Sequence, residues 1–189
     1  MPRLTEFYGN YRRENEIFSA LKFDRSGWEI FCASRPLKHF RTSLFFKWAG
    51  KPYFDPVNPY QGDEQVIQSE TTVQPMTNLA FEATATRVRF DERATGNEVF
   101  KIHIYRAKGT YQANRFLLFR IIGEYNDADE KITTDFLASF TYIPGTVCHV
   151  GYGSLYEKQD MDPLRQRLDT NYARLQRSLF VKVAYNWRK

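Results

Sequence analysis

The chain has 189 residues, of which 42% are hydrophobic and 16% aromatic, so it is long enough for one domain with its own core. Its mean hydropathy is −0.56, and no apolar run reaches the roughly 18 residues of a membrane helix, which excludes that class but not a barrel of alternating strands. The net charge of +5 is spread along the chain, so it fits a solvated surface as well as a nucleic-acid or lipid-headgroup partner.

The N-terminal residues lack the apolar stretch of a signal peptide. Either the protein is cytosolic, or the chain is the tail of a longer polypeptide whose export signal lies upstream. Residues 1–15 are predicted to be an irregular N-terminal segment, and residues 16–189 are predicted to form a β-barrel segment. Its first hairpin is predicted to join 18–23 to 28–33 around the turn at 24–27.

Further along, short and long connections alternate between the predicted strands. The short joints lie at 36–38, 75–78, 114–116 and 144–146, and the long ones at 51–64, 91–97, 127–133 and 157–172. Tight turns at one end and longer loops at the other are typical of bacterial outer-membrane barrels. The predicted fold is therefore all-β, an antiparallel up-and-down meander of about 8–10 long strands that is an outer-membrane barrel or part of one.

The segment from Tyr105 to Tyr125 predicts a hairpin with a defined register. A turn at 114–116 pairs Ala113 with Leu117, which sets Tyr105 opposite Tyr125 and Arg106 opposite Glu124. Rings then share one face and charges share the other. A slip by one residue would turn the basic side chains toward the apolar face.

The final strand shows the clearest alternation. Every second position from Leu179 to Trp187 is apolar, a spacing that spans roughly 26 Å at about 3.3 Å per residue, close to the ~25 Å apolar band of a transmembrane barrel. Tyr185 and Trp187 fall where an aromatic girdle is expected.

These alternations predict which way the side chains point. The residues predicted to be charged and lumen-facing are Arg106, Lys108, Arg120, Glu124 and Lys182. The residues predicted to face lipid or form a girdle are Tyr105, Tyr111, Leu117, Phe119, Ile121, Tyr125, Phe140, Tyr142, Tyr152, Leu179, Val181, Val183, Tyr185 and Trp187.

Four stretches carry a resemblance to a known family: YQANRFLLFR at 111–120, YIPGTV at 142–147, GYG at 151–153 and FVKVAYNWR at 180–188. They resemble the C-terminal barrel of large bacterial outer-membrane proteins whose N-terminal domain is similar to family 9 carbohydrate-binding modules. That barrel has no assigned function and is distantly similar to barrels of TonB-dependent receptors. The close resemblance covers roughly 97–188 and is looser back to about 28.

The resemblance implies a location in the outer membrane of a Gram-negative bacterium, with outer-membrane lipid and the barrel-assembly machinery as partners. Carbohydrate would bind through the N-terminal domain, which has no counterpart in this sequence, so that binding is assigned to no residue here.

Residues with catalytic or metal-binding spacing are not found in the sequence. His39, His103 and His149 stand in separate strands or turns without ligand spacing. The chain is therefore predicted to be no enzyme and to need no cofactor.

Three functions are weighed. The first is a membrane-embedded barrel segment that serves as an anchor or a passage for solutes. The second is a soluble β-barrel or sandwich binding module, in which the ring-bearing face is an ordinary core. The third and least favoured is a nucleic-acid binder that uses exposed rings and Arg, so no nucleic-acid partner is expected.

Overall fold

The computed structural model describes residues 5–55, 57–143, 145–158 and 172–185. These residues contain strands and turns but no helix. The strands are β1 Thr5–Arg12, β2 Asn15–Phe18, β3 Leu21–Asp24, β4 Gly27–Leu37, β5 Phe40–Tyr53, β6 Tyr60–Met76, β7 Leu79–Glu92, β8 Glu98–Gln112, β9 Leu117–Asn126, β10 Lys131–Ile143, β11 Thr146–Lys158 and β12 Tyr172–Ala184.

Ten of these strands form one sheet in the order β1-β4-β5-β6-β7-β8-β9-β10-β11-β12, and β2 pairs with β3 in a separate small sheet. Strands that are adjacent in the sheet also follow one another in the chain, except that β1 pairs with β4. The predicted all-β antiparallel meander is therefore confirmed. In the described residues the order is open, from β1 to β12, without ring closure.

The chain divides into two compact units. Unit 1 comprises Met1–Thr71 and Thr84–Ile104, and unit 2 comprises Thr72–Ala83 and Tyr105–Lys189. Strands β6, β7 and β8 are each divided between the two units.

The N-terminal prediction is wrong in two respects. Residues 5–12 are not irregular, because they form β1, which pairs antiparallel with β4 from Thr5↔Ser34 to Arg12↔Gly27; residues 1–4 lie outside the described residues. The hairpin expected around 24–27 is replaced by the pair β2–β3. Gly27 is no turn residue: a Cβ at this position would lie 2.4 Å from the Cβ of Ala49, so glycine is needed for close approach of β4 and β5.

The connections keep the predicted order but differ less in length than expected. The strands extend into the predicted loops, leaving connections at 54–59, 93–97 and 127–130, against turns at 38–39, 77–78, 113–116 and 144–145. Strands lengthen because each added residue gains ladder hydrogen bonds. The last connection, 159–171, lies outside the described residues.

Few side chains are buried. Among the described residues, the buried hydrophobic ones are Phe23, Ala33 and Phe90, and Phe90 is only 1% exposed. A globular domain of this length normally buries a large contiguous core. Within each unit, many large apolar side chains stay exposed, among them Phe7 in unit 1 and Leu179 and Val183 in unit 2.

The β2–β3 hairpin carries a local strain that can be tested. Ser19 and Ala20 form its turn with φ of 49° and 63°, where a two-residue hairpin turn favours Asn-Gly. A residue with a Cβ is disfavoured in this region, so Ala20→Gly is expected to raise the free energy of unfolding by about 1 kcal/mol in urea unfolding. Ala83→Gly, within a strand, should lower it by roughly 0.5–1 kcal/mol. Equal destabilisation by both changes would contradict the left-handed turn.

Candidate functional site

In unit 2 the strand registers align apolar side chains in rows across β9 to β12. The rows are Leu117–Phe140–Cys148–Val183, Phe119–Ala138–Val150–Val181 and Ile121–Phe136–Tyr152–Leu179. We call this the apolar face of unit 2. Toward the loops it continues into a row of small or polar residues, Gly123–Thr134–Ser154–Arg177.

The apolar face of unit 2 is largely open. Leu179 is 71% exposed, Val183 67% and Ile121 59%, whereas Leu117, Phe119 and Tyr125 are half-buried. The predicted residues therefore share one surface and do not converge in a closed core. Which medium this surface meets stays a prediction.

Most of the remaining residues predicted to face lipid also lie in the described strands. The rings of Tyr105 and Tyr125 stack at 6.5 Å between centroids, as the predicted register requires. Tyr111 and Tyr185 are exposed. Tyr142 stands at a bulge between Thr141 and Ile143, so it is not part of a row, and Trp187 lies outside the described residues.

The opposite, polar face of unit 2 carries ion pairs. Arg106 Nε lies 4.0 Å from Glu124 Oε2, and Lys108 Nζ lies 2.8 Å from Glu82 Oε2. The amide of Ala113 donates to the carbonyl of Leu117 at 2.9 Å. The predicted hairpin register is thereby confirmed.

Arg120 and Lys182 belong to this polar face by register. Arg120 pairs with Leu137, and Lys182 pairs with His149, whose Nδ1 lies 2.9 Å from Ser139 Oγ. Along each strand, these polar-face positions alternate with the positions that form the apolar rows. The five residues predicted to be charged and lumen-facing thus share one side of unit 2.

The ion pair of Arg106 and Glu124 allows a small-effect test. The two side chains are 50% and 42% exposed, so the pair is expected to contribute only about 0.2–1 kcal/mol. Glu124→Lys should lower the free energy of unfolding by a similar amount through like-charge contact with Arg106. The double exchange Arg106→Glu with Glu124→Arg should restore it in urea unfolding. If the double exchange is as unstable as the sum of the single ones, the contact is not formed.

Unit 1 segregates its side chains in the same way. Its apolar face carries the rows Tyr11–Trp28–Trp48, Gly9–Ile30–Phe46 and Phe7–Cys32–Leu44. The rings of Tyr11 and Trp28 lie 4.5 Å apart, and Phe7 is 74% exposed. Sequence reasoning found the alternation at 44–48 but missed Phe7 and Tyr11, although their spacing around Gly9 was a readable signal.

The polar face of unit 1 contains a half-enclosed charged cluster. Glu64 is 8% exposed, and its carboxylate accepts hydrogen bonds from Lys47, at 3.3 Å, and from Lys51. By register Glu29 lies beside Lys47, and Asn10 lies beside Glu29. A cavity of about 150 Å³ adjoins these groups, with side chains of both signs in its wall. Such a cavity suits water or a small polar molecule.

At the loop end of unit 1 a polar network fixes the β2–β3 hairpin. Arg93 Nη1 lies 3.2 Å from Asp24 Oδ2 and also pairs with Asp63. Gln61 donates to the carbonyl of Asp24 and accepts from its amide, at 2.9 and 2.8 Å. Hydrogen bonds from the side chain and amide of Ser26, followed by those from Arg93, lower the pKa of Asp24 below its ordinary value. The network ties two segments of unit 1 that are distant in sequence.

Within the described ranges no group of three or more His, Cys, Asp or Glu side chains is placed to hold a metal ion. Cys32 and Cys148 are free thiols, both on apolar faces. The described ranges hold no helical segment with the length and apolar character of a membrane span.

Comparisons with known proteins add no assignment. No family model matches this sequence. A search of curated proteins likewise finds no match. The resemblance to outer-membrane barrels therefore stays a prediction from the sequence.

Proposed function

We propose that the chain is a segment of a bacterial outer-membrane β-barrel protein, acting as an anchor or as a passage for solutes and carrying out no catalysis of its own. The observation that supports this most is the exposed apolar face in each unit, opposite a face with charged side chains. Contiguous exposed apolar patches beyond a few hundred Å² are rare on soluble monomers and mark contact with a partner or a membrane. Hydrocarbon would cover such a face without a polar penalty.

The polar faces fit a wet lumen. Ion pairs such as Arg106–Glu124 and Lys108–Glu82 cost little where water reaches them and much where lipid does. The aromatic row Tyr11–Trp28–Trp48 stands next to the loop end of unit 1, where a girdle is expected. This arrangement of charges and rings supports the proposal of a barrel wall.

Partners and location follow from the same proposal. Outer-membrane lipid would contact the apolar faces, and the barrel-assembly machinery of a Gram-negative bacterium would insert the strands. Carbohydrate binding through an N-terminal domain is suggested by resemblance alone.

A soluble β-barrel or sandwich binding module is the second candidate, and one observation favours it. The unbroken apolar rows of unit 2, from the row of Leu117 to the row of Ile121, span only about 13 Å at about 3.3 Å per residue, and the row with Arg177 separates them from the aromatic row Tyr125–Ile132–Tyr156. This is shorter than the ~25 Å band of a transmembrane barrel. A layer of protein would cover such a band equally well.

The structure gives no support to nucleic-acid binding, because basic side chains such as Arg106 and Lys108 already pair with carboxylates.

Paired cysteines would separate the two candidates. In a Cys32→Ser, Cys148→Ser background, Val181→Cys places a thiol on the apolar face and Lys182→Cys places its neighbour on the polar face. Ile30→Cys and Glu29→Cys are the matched pair in unit 1. A charged, membrane-impermeant thiol reagent should label residues 182 and 29 in lipid vesicles and leave 181 and 30 unlabelled until the protein is denatured.

Two results would overturn the proposal. Equal labelling of Val181→Cys and Lys182→Cys in vesicles would show that the apolar face meets water. Protection of Val181→Cys in buffer without lipid or detergent would show that protein covers it, which is the soluble alternative.

A further inference from the structure

A furrow borders the apolar face of unit 2 at Gly109, in β8. Strand β7 lies beside β8 in a register that two contacts fix: Lys108 Nζ to Glu82 Oε2 at 2.8 Å and the amide of Gln112 to the carbonyl of Asn78 at 2.8 Å. Phe81 therefore lies directly beside Gly109. A Cβ built on Gly109 would lie 3.2 Å from Ile121 Cγ2 and 3.6 Å from the ring of Phe81. The floor of the furrow is backbone, and Phe81 and Ile121 form its walls.

The furrow is apolar and open to the outside. It encloses about 230 Å³, and its lining is almost entirely carbon. The apolar side chains in its wall are Leu79, Phe81, Tyr111, Phe119, Ile121 and Phe136. A polar ligand would lose hydrogen bonds to water here without gaining new ones. The chemistry of the lining therefore selects hydrocarbon.

The shape of the furrow favours a chain over a compact ring system. Two residues along β8, Ala107 lies on the same face as Gly109, and the hairpin register sets it opposite Gly123. These small residues continue the low floor along the strand for about 7 Å beyond Gly109 at about 3.3 Å per residue. The depression is thus narrow across the strands and extended along them.

A cation stands at the turn that ends these strands. Arg115 lies in the connection between β8 and β9, with its guanidinium carbon 4.5 Å from the centroid of the Phe116 ring. Tyr111 and Phe119 bring the lining of the furrow toward this turn, so a phosphate bound by Arg115 would have its hydrocarbon chain directed along the furrow. Headgroup and chain of a phospholipid have this combination of chemistry.

We propose that the furrow at Gly109 is a binding site for one acyl chain of a membrane phospholipid, an inference that rests on the proposed membrane location. The furrow holds a chain in a fixed position, whereas the flat rows beside it contact lipid without order. Glycine at 109 is then needed for the space it leaves, since its φ is not in the left-handed region.

Photo-crosslinking tests the site. Vesicles of phosphatidylethanolamine containing a fraction of the same lipid with a diazirine on one acyl chain are irradiated with the inserted protein, and adducts are mapped by mass spectrometry. Adducts should concentrate on the wall residues of β7 and β9. Gly109→Leu should reduce them several-fold, and Gly109→Ala should reduce them less. Gly9→Leu is the matched control, because Gly9 lies on the apolar face of unit 1, outside the furrow, with nothing within 4 Å of a Cβ built on it; it should leave adducts on the wall residues unchanged.

The outcomes separate this inference from the proposed function. If adducts spread evenly over the apolar face and Gly109→Leu changes nothing, the site is wrong, while protection of Val181→Cys still supports a membrane location. If neither adducts nor protection occur, both are wrong. Crosslinks between protein copies at Phe81 would show that a second copy covers the furrow. Should Gly109→Leu fail to insert, the response of Gly109→Ala against Gly9→Leu decides.

Discussion

Replacing Ile121 by lysine is expected to lower the free energy of unfolding in lipid vesicles by about 2–4 kcal/mol, the cost of a basic side chain near the centre of an outer-membrane barrel's lipid face. Ile121 stands midway along β9 between Leu117 and Tyr125, on the apolar face, and is 59% exposed. Its side chain would carry the charge into hydrocarbon. The measurement is reversible urea unfolding of the protein in vesicles.

The matched control is the next residue. Ile122 has the same side chain but points to the polar face, where it lies opposite Asp135 in β10. Ile122→Lys would place a cation beside that carboxylate, so its free energy of unfolding should stay within about 1 kcal/mol of the wild type. The difference between the two lysines isolates the medium on each face from the loss of an isoleucine.

Ile121→Lys and Ile122→Lys can also be compared in buffer without lipid, where the apolar face would meet water. If the apolar face of unit 2 meets water, Ile121→Lys is an ordinary surface change worth within about ±0.5 kcal/mol. Equal and small effects of both lysines in vesicles would therefore contradict the membrane proposal. A large effect of Ile121→Lys in buffer alone would indicate a covering layer of protein.

The sequence was most informative where local signals agreed. Between Tyr105 and Tyr125 the turn, the alternation of rings and the pairing of charges all required one register, and the Arg106–Glu124 and Tyr105–Tyr125 contacts have it. The pairing of β10 with β11 followed from alternation in the same way. Local agreement suffices in a meander because each strand pairs with its neighbour in sequence.

Prediction failed where pairing was non-local or where a glycine had two possible roles. The Asp24–Arg93 contact joins residues 69 positions apart, so no local sequence pattern predicts it. Gly27 has the sequence surroundings of a turn, yet its lack of a side chain serves the close approach of β4 to β5. The furrow at Gly109 was also not predicted from the sequence, because it depends on which residue of β7 lies beside that glycine.

Truncating Phe90 is expected to be among the most destabilising single changes in unit 1, at about 3–5 kcal/mol for Phe90→Ala. Phe90 is 1% exposed, its ring stacks on Phe100 at 5.3 Å, and Tyr53 lies 5.8 Å away. With so few buried side chains, little else in unit 1 can close the cavity. Phe81→Ala, on the same strand but 50% exposed, should cost clearly less in the same urea unfolding experiment.

Gly62 gives this prediction its sharpest test. A Cβ on Gly62 would lie 2.1 Å from the Phe90 ring and 2.8 Å from the carbonyl oxygen of Asp91, so Gly62→Ala should displace the ring and cost about 1–3 kcal/mol. Gly9→Ala, with nothing within 4 Å, should be close to neutral. In the Phe90→Ala background the clash with the ring disappears, so Gly62→Ala should cost less there than in the wild type. Strict additivity of the two changes would show that Phe90 does not cover Gly62 and that the core of unit 1 is built differently.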